Sequence, residues 1–315
     1  MMRAIVRDEY GTPDVIALRE IDEPTPGDDE VSIRVHASSV NPADWIFLTG
    51  RPYPVRLVSG LVRPKGRVLG MDVAGRVQSV GRNVTRFRPG DEVFGEIASA
   101  YAEQVCAHQD RIAIKPANLT FEQAAAVPVA AMTALQGLRD AARIRPGHHV
   151  LINGASGGVG TFAVQIAKSL GAEITAVCSG GSADMVRSIG ADHVVDYGRD
   201  DFTRTSVRYD AILDLVGSAP LSDCRRVLSP TGTYVSSVGR LGWSLKAFFA
   251  SLVWRDRVRV LASSPNAADL AYLRTLIEAG EVTPVIERRY PLSDVAEALR
   301  RQGEGHARGK SVITV

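Results

Sequence analysis

The sequence predicts an α/β protein made of a mostly-β domain and a doubly wound parallel-sheet domain. Three observations predict it. The first third of the chain carries short β-branched runs broken by glycine and proline. From residue 148 onward, apolar strand-like runs alternate with helical ones, the rhythm of βαβ crossovers. The 315 residues exceed what one ordinary core holds, so two domains are expected.

The elements follow in order. The N-terminal stretch reads as two short strands around the turn Gly11-Thr12-Pro13-Asp14, with no apolar signal-peptide core. Residues 31–36 alternate apolar and polar side chains, as a half-buried strand does. Short β-branched runs such as 73–80, interrupted by Gly75, Gly81, Pro89 and Gly90, suggest a compact antiparallel sheet or barrel. Thr120 and Gln123 form a capping-box pair opening an Ala-rich helix. Strands are then expected at 149–153, 173–178, 192–195, 211–215, 233–238 and 258–262, with helices at 160–170 and 183–189. A helix over 270–279 is closed by Gly280; another over 292–301 takes Ser293 as its cap; 311–315 is a last strand. The expected organisation is 1–120, 121–279 and 280–315, with the tail returning to the first domain. The aromatic-rich segment 243–254 reads as an amphipathic core helix, as a lid or wall over a substrate pocket, or, third, as a peripheral membrane contact.

Composition excludes several functions. Lys and Arg total 37 against 35 Asp and Glu, a net charge of +2, which argues against nucleic acid or an anionic membrane as the main partner. No stretch has the ~20 apolar residues of a membrane span. Cys106, Cys178 and Cys224 are far apart and lack CxxC spacing, so neither a disulfide framework nor a structural zinc cluster is expected. A reducing, cytoplasmic setting follows. His36, His108, His148, His149, His193 and His306 form no HxxxH pair. The adjacent His148 and His149 point to opposite strand faces, and all six read as structural or surface residues, so no metal is expected.

The strongest local motif is Gly154-Ala155-Ser156-Gly157-Gly158-Val159-Gly160, placed between an apolar strand and an amphipathic helix. Glycine there lets backbone approach a pyrophosphate and lets the helix pack on the strand, while the helix N-terminus offers unpaired N–H groups. In a βαβ unit the motif signals dinucleotide binding. The next strand ends Val177-Cys178-Ser179-Gly180-Gly181 without a carboxylate, and Ser179 can donate to a 2′-phosphate, which favours NADPH. No Arg or Lys follows Ser179 directly; Lys168, Arg187 or Arg199 are the cations available to supply that charge.

With these residues in view, the chain resembles the medium-chain dehydrogenase/reductase superfamily, and within it the zinc-independent quinone oxidoreductase branch. The resemblance runs nearly end to end, through SSVNPADW (38–45), GMDVAGRVQSVG (70–81), FRPGDEVFG (87–95), AAAVPVAAMTALQGL (124–138), GASGGVG (154–160), GADHVVDY (190–197), DLVGS (214–218) and ARGKSVITV (307–315). It implies a GroES-like catalytic domain plus a Rossmann domain. The zinc-ligand positions of the superfamily's alcohol dehydrogenases are matched by Asn41, by Met71-Asp72 and by the neighbourhood of Val129, and the proton-relay hydroxyl by Ala43. That set lacks the His and Cys a catalytic zinc needs.

The resemblance also implies roles for single residues. Asn41 and Tyr53 match pocket residues beside the nicotinamide, and Thr133 the contact to its amide. Tyr197 matches a residue near the adenosine phosphate. Val216-Gly217 and Val238-Gly239 follow strand ends on the cofactor face, and Lys310 lies in the closing motif. Each has a plainer reading: Asn41 before Pro42 makes a turn, Tyr53 between two prolines packs a loop, and Thr133 bonds its own helix. Arg51, Arg56, Arg63 and Lys65 form a basic loop, either merely solvated or near phosphate or an acidic substrate. Phe47, Leu48, Trp243 and Phe248 suggest apolar pocket walls.

The expected function is hydride transfer from NADPH to a small hydrophobic electron acceptor, a quinone or an α,β-unsaturated carbonyl. The alternatives are a nicotinamide-dependent alcohol or aldehyde dehydrogenase and a non-catalytic NADPH-binding redox sensor. A homodimer paired through the Rossmann sheet edge is what the resemblance implies for assembly.

Overall fold

A computed structural model describes residues 1–237, 257–305 and 307–315. Val238, Gly239 and the segment 243–254, with Trp243 and Phe248, lie outside the described residues. The chain divides into two compact units: unit 1 comprises Met1–Ala130, Pro265–Glu278 and Pro284–Val315, and unit 2 comprises Ala131–Ser264 and Ala279–Thr283.

Unit 1 is mostly β. Strands β1 (Met2–Arg7) and β2 (Ile16–Ile21) form an antiparallel pair. The larger sheet uses β3 (Glu30–Ser39), β4 (Asp72–Val80), β5 (Glu92–Glu96), β6 (Gln104–His108), β7 (Ile112–Ile114), β14 (Ile286–Pro291) and β15 (Lys310–Thr314). Its order is β14-β15-β3-β4-β5-β7, and β6 pairs residues 30–34 of β3 off that path. Gly75 does not interrupt its run: it sits inside β4, where a Cβ would lie 2.1 Å from the Arg34 carbonyl oxygen. There a glycine permits close strand contact instead of making a turn.

The tail completes this sheet. Val312 pairs with Ser39 and Ile313 with Ser38. Above it Tyr290, Leu292, Val295, Leu299 and Ile313 pack with Ile5, Leu48 and Tyr101. The helix after β14 starts later than expected, at Val295–Glu304, behind a 3-10 turn Leu292–Asp294. Ser293 therefore sits in that turn, donates to Asp294 Oδ1, and does not cap the helix. The helix Ala267–Glu278 belongs to unit 1, where its last turn accepts from Asn118 Nδ2 (to Ile277 O, 2.8 Å) and from the Ala117 N–H (to Glu278 Oε1, 3.0 Å).

Unit 2 holds a parallel sheet of β8 (His149–Asn153), β9 (Glu173–Cys178), β10 (His193–Asp196), β11 (Tyr209–Asp214), β12 (Leu228–Ser236) and β13 (Val258–Val260). The order is β10-β9-β8-β11-β12-β13. The direction of winding reverses between β8 and β11, and the crevice for a ligand in such a sheet opens there, beyond the carboxyl ends of the strands. The helix Gly158–Ser169 buries Phe162, Ala163, Val164, Ile166 and Ala167. A helix with a continuous apolar face and a sheet apolar on both sides leave one stable arrangement, helices layered over strands. No described helix is long and apolar enough to cross a membrane.

Leu48 is fully buried in the unit 1 core. Leu48→Ala is expected to cost on the order of 3 kcal/mol, the usual range for a large-to-small core truncation. Denaturant unfolding followed by circular dichroism checks it; a loss under about 1 kcal/mol would show that this core collapses around the cavity.

Candidate active site

The glycine-rich turn leaves β8 at Asn153 and opens the helix at Gly158. Gly154 has φ +90°, a conformation L side chains rarely adopt, and a Cβ on it would strike Val216 Cγ2 at 2.7 Å. A Cβ on Gly160 would lie 2.1 Å from the Gly154 carbonyl oxygen, so the helix can rest against the turn only with glycine at that position. Gly157 is the N-cap, and a Cβ there would meet nothing closer than 3.4 Å. The space over Gly157 is therefore open. Ser156, Gly157, Gly158 and Val159 are all partly accessible, with the first N–H groups of the helix aimed outward. The cradle fits a pyrophosphate.

A single buried carboxylate holds the neighbouring loop. Asp214, at the end of β11, is fully buried. Its Oδ1 accepts from Asn153 Nδ2 (2.9 Å) and from the N–H groups of Val216 (3.0 Å) and Gly217 (2.8 Å). Its Oδ2 accepts from the Tyr234 hydroxyl (2.5 Å). Burial, with the Asp214 charge beside it, pushes the Tyr234 phenol far above its ordinary range, so it stays a donor. Gly217 takes φ +71°. Val216 and Gly217 are thus fixed by a buried carboxylate, with Val216 beside Gly154.

At the ends of β9 and β10 the structure corrects one expectation. Ser179 is partly accessible and Tyr197 is exposed, and the Tyr197 N–H donates to the Cys178 carbonyl (3.1 Å), so the two residues are neighbours. A carboxylate stands there too. Asp196, paired with Cys178 in register, brings Oδ2 to 2.5 Å from where a Gly180 Cβ would be. It comes from the next strand, invisible to a rule that inspects the end of β9 alone. Arg199 Nε lies 3.8 Å from it and is its nearby cation.

In unit 1, Asn41, Asp72 and Lys310 form one buried network. Asp72 Oδ2 accepts from Ser39 Oγ, Asn41 Nδ2 (2.8 Å) and Lys310 Nζ (3.3 Å), while Oδ1 accepts from the Val129 N–H (2.8 Å). Lys310 Nζ also donates to Asn41 Oδ1 (2.6 Å) and the Val40 carbonyl (3.2 Å). The Asn41 N–H donates to Asp44 Oδ2 (2.9 Å), which starts the helix Pro42–Thr49. Two further carboxyl groups crowd this cluster. Burial, and then the Asp72 charge, raise Asp44 to about 7 against the pull of the Asn41 N–H. Burial, and then Asp72, likewise raise Glu96, the register partner of Asp72, to about 7.

The positions matching zinc ligands elsewhere are therefore committed otherwise. Asp72 has both oxygens in use, the Val129 contribution is a backbone N–H, and an ammonium supplies the positive charge. That donor set does not fit a zinc ion.

The remaining candidates disperse. Tyr53 is 64% exposed, with the guanidinium groups of Arg56 (5.1 Å) and Arg51 (5.8 Å) over its ring. Within the basic loop, Arg56 Nε also donates to the Gly50 carbonyl. Thr133 is buried on the helix Pro128–Leu135. Leu48 is a core residue of unit 1 and no pocket wall, and Phe47 packs on the same core. His149 and His193, expected to be structural or surface residues, lie 5.9 Å apart between ring centroids. Their positions on two strands, 44 residues apart in the chain (193 − 149), gave no local spacing signal.

Comparisons with known proteins agree with this geometry. Residues 27–136 match the alcohol dehydrogenase GroES-like domain, and residues 189–313 match the zinc-binding dehydrogenase model. The chain is 36% identical to the mitochondrial NAD(P)H oxidoreductase RTN4IP1 of Bos taurus, covering 100% of this chain and 89% of that one. It is 31% identical to the 2-methylene-furan-3-one reductase of Solanum lycopersicum, covering 99% and 79%. Among solved structures, the quinone oxidoreductase from Coxiella burnetii superposes with a TM-score of 0.89 at 33% identity, covering 100% and 99%.

The buried carboxyls make a pH prediction. Their folded pKa lies above the unfolded value, so their protonated form stabilises the fold below about pH 4, and that stability is lost as pH rises through about 7. Asp44→Asn removes one such group. Its melting temperature is expected to fall less than that of wild type between pH 5 and pH 8, by an amount corresponding to at least about 1 kcal/mol. Parallel melting curves over that range would contradict the assignment.

Proposed function

The chain belongs to the zinc-independent, quinone oxidoreductase-like branch of the medium-chain dehydrogenase/reductase superfamily, and from that membership we propose an NADPH-dependent reductase of quinones and α,β-unsaturated carbonyls. The observation that carries the reading is the cradle at 154–160: two glycines that no other residue can replace, under an open helix N-terminus. NADPH bound there supplies a hydride. The residues of unit 2 bind and orient. The amides of 158–160 take the pyrophosphate, Gly154 and Gly157 leave room for it, and Val216-Gly217 form the adjoining wall. Ser179 and Tyr197 face the ribose and its phosphate, and Thr133 takes the nicotinamide amide.

In unit 1, Tyr53 is the donor for the oxyanion that forms as an acceptor is reduced, since the residue is exposed. Asn41 has its carbonyl and one amide hydrogen engaged within the network, leaving one hydrogen for substrate. Lys310 acts through Asn41, as a positioning residue. A site built on hydrogen bonds, without a Lewis acid, suits acceptors whose own π-system takes the hydride. The names of the Coxiella and tomato relatives, a quinone oxidoreductase and a methylene-furanone reductase, support both substrate classes. The acceptor is a small hydrophobic molecule.

The test is NADPH consumption against a panel of quinones, alkenals and enones. Turnover with at least one class, and no oxidation of simple alcohols with NADP⁺, is expected. Tight NADPH binding without turnover on any acceptor would instead establish a redox sensor.

Cofactor choice is a second measurement. On this reading the 2′-phosphate lies by Ser179, and Asp196 stands beside the neighbouring Gly180, so Asp196→Asn is expected to raise the ratio of NADPH to NADH affinity about fivefold, or about 1 kcal/mol. Fluorescence titration with both nucleotides reads it. An unchanged ratio would place the ribose phosphate away from this strand end.

A further inference from the structure

Three side chains outside the candidate active site converge on unit 2. His149, Glu173 and His193 each offer one ligand atom, and these atoms lie within 4.8 Å of one another. Each is the first residue of its strand, β8, β9 and β10, which lie side by side. His149 is the register partner of Glu173, and His193 that of Thr175. Side chains alternate along a strand, so Glu173 and Thr175 share a face and all three donors project from it. They stand at the amino ends of the strands, opposite the carboxyl ends that carry the glycine-rich turn.

We propose that His149, Glu173 and His193 bind a borderline divalent cation, zinc in particular, as a clamp across three strands. Two imidazoles and one carboxylate are a zinc-type donor set, and imidazole disfavours magnesium and calcium. Zinc bonds of about 2.1 Å put ligand atoms about 3.4 Å apart. The present separations are compatible with that value: His193 Nε2 is 2.7 Å from Glu173 Oε1, and all three ligand atoms lie within 4.8 Å of one another. Glu173 and His193 are exposed, so side-chain rotation alone closes the difference. The His149 ring is already held, by Thr175 Oγ1 at Nε2 (3.0 Å) and by the edge-on Tyr209 ring (4.9 Å between centroids). These two contacts fix the orientation of the imidazole beside Glu173 and His193. Asp210, whose Oδ2 accepts the His149 backbone N–H (3.0 Å), adds negative charge nearby. Because the strands are already paired, the ion meets a preformed site and stabilises the folded sheet over the unfolded chain.

The experiment uses the full, untagged, EDTA-treated chain titrated with zinc by calorimetry and with cobalt by absorption, with melting temperature read at each step. One equivalent of zinc with a saturable rise in melting temperature is expected. His193→Asn and Glu173→Gln should each weaken binding at least about tenfold and abolish the rise, with NADPH affinity retained. No saturable binding, or unchanged affinity in both variants, overturns the proposal. So does a loss of stability in His193→Asn that is the same with and without zinc, which would leave His193 and Glu173 as an ordinary ion pair.

Discussion

A buried carboxylate must have its charge met by donors, and in unit 2 that requirement builds the proposed cofactor seat. Asp214 collects the Asn153 amide, the Tyr234 hydroxyl and two backbone N–H groups. Unpaired, each would cost far more than a hydrogen bond returns. Meeting them all fixes three things at once: the end of β8 where the glycine turn departs, the loop of Val216 and Gly217, and the end of β12. The glycines provide space, and Asp214 determines that the surrounding backbone keeps that space in shape.

Unit 1 solves the same problem with the opposite chemistry. Asp72 is compensated by an ammonium, a hydroxyl, an amide and a backbone N–H. A fixed cation of the protein thus stands among the positions that carry zinc ligands in other branches of the superfamily. An ion pair closed in this way is sensitive to loss of either partner. It also limits the chemistry: Lys310 cannot polarise a substrate oxygen while both Asn41 Oδ1 and Asp72 hold it. On the proposed function, polarisation is then left to neutral donors, which suit conjugated acceptors better than plain alcohols or ketones.

Much of this was legible in the sequence because it is local. The βαβ rhythm, the glycine turn, the capping box at Thr120 and the closing strand all depend on residues adjacent in the chain. Boundaries moved by a few residues, as where a 3-10 turn took Ser293 and delayed the helix to Val295. What escaped were groups joined across strands. Asp214 read only as part of the strand 211–215, Asp196 belongs to a different strand from the one that ends at Ser179, and His149, Glu173 and His193 meet only through sheet register. Lys310 and Asn41 were both found, yet as separate contacts; 269 residues of chain hid that they touch each other.

Asp196 shows why register matters for cofactor choice. The rule that reads a carboxylate at the end of the second strand works because that residue reaches the ribose. Here the end of that strand is Ser179 and two glycines, and the glycines remove the side chains that would screen the neighbouring strand. Gly180 leaves Asp196 room to lean over the position that the rule inspects. On the proposed reading, a 2′-phosphate at this edge would meet three groups together: the Ser179 hydroxyl, the Asp196 carboxylate and Arg199 at 3.8 Å from it. Arg199 is 85% exposed, so its attraction is screened by solvent more strongly than that of the less exposed carboxylate. Specificity at such an edge is a property of two strands and the turn between them, and a single strand end cannot decide it.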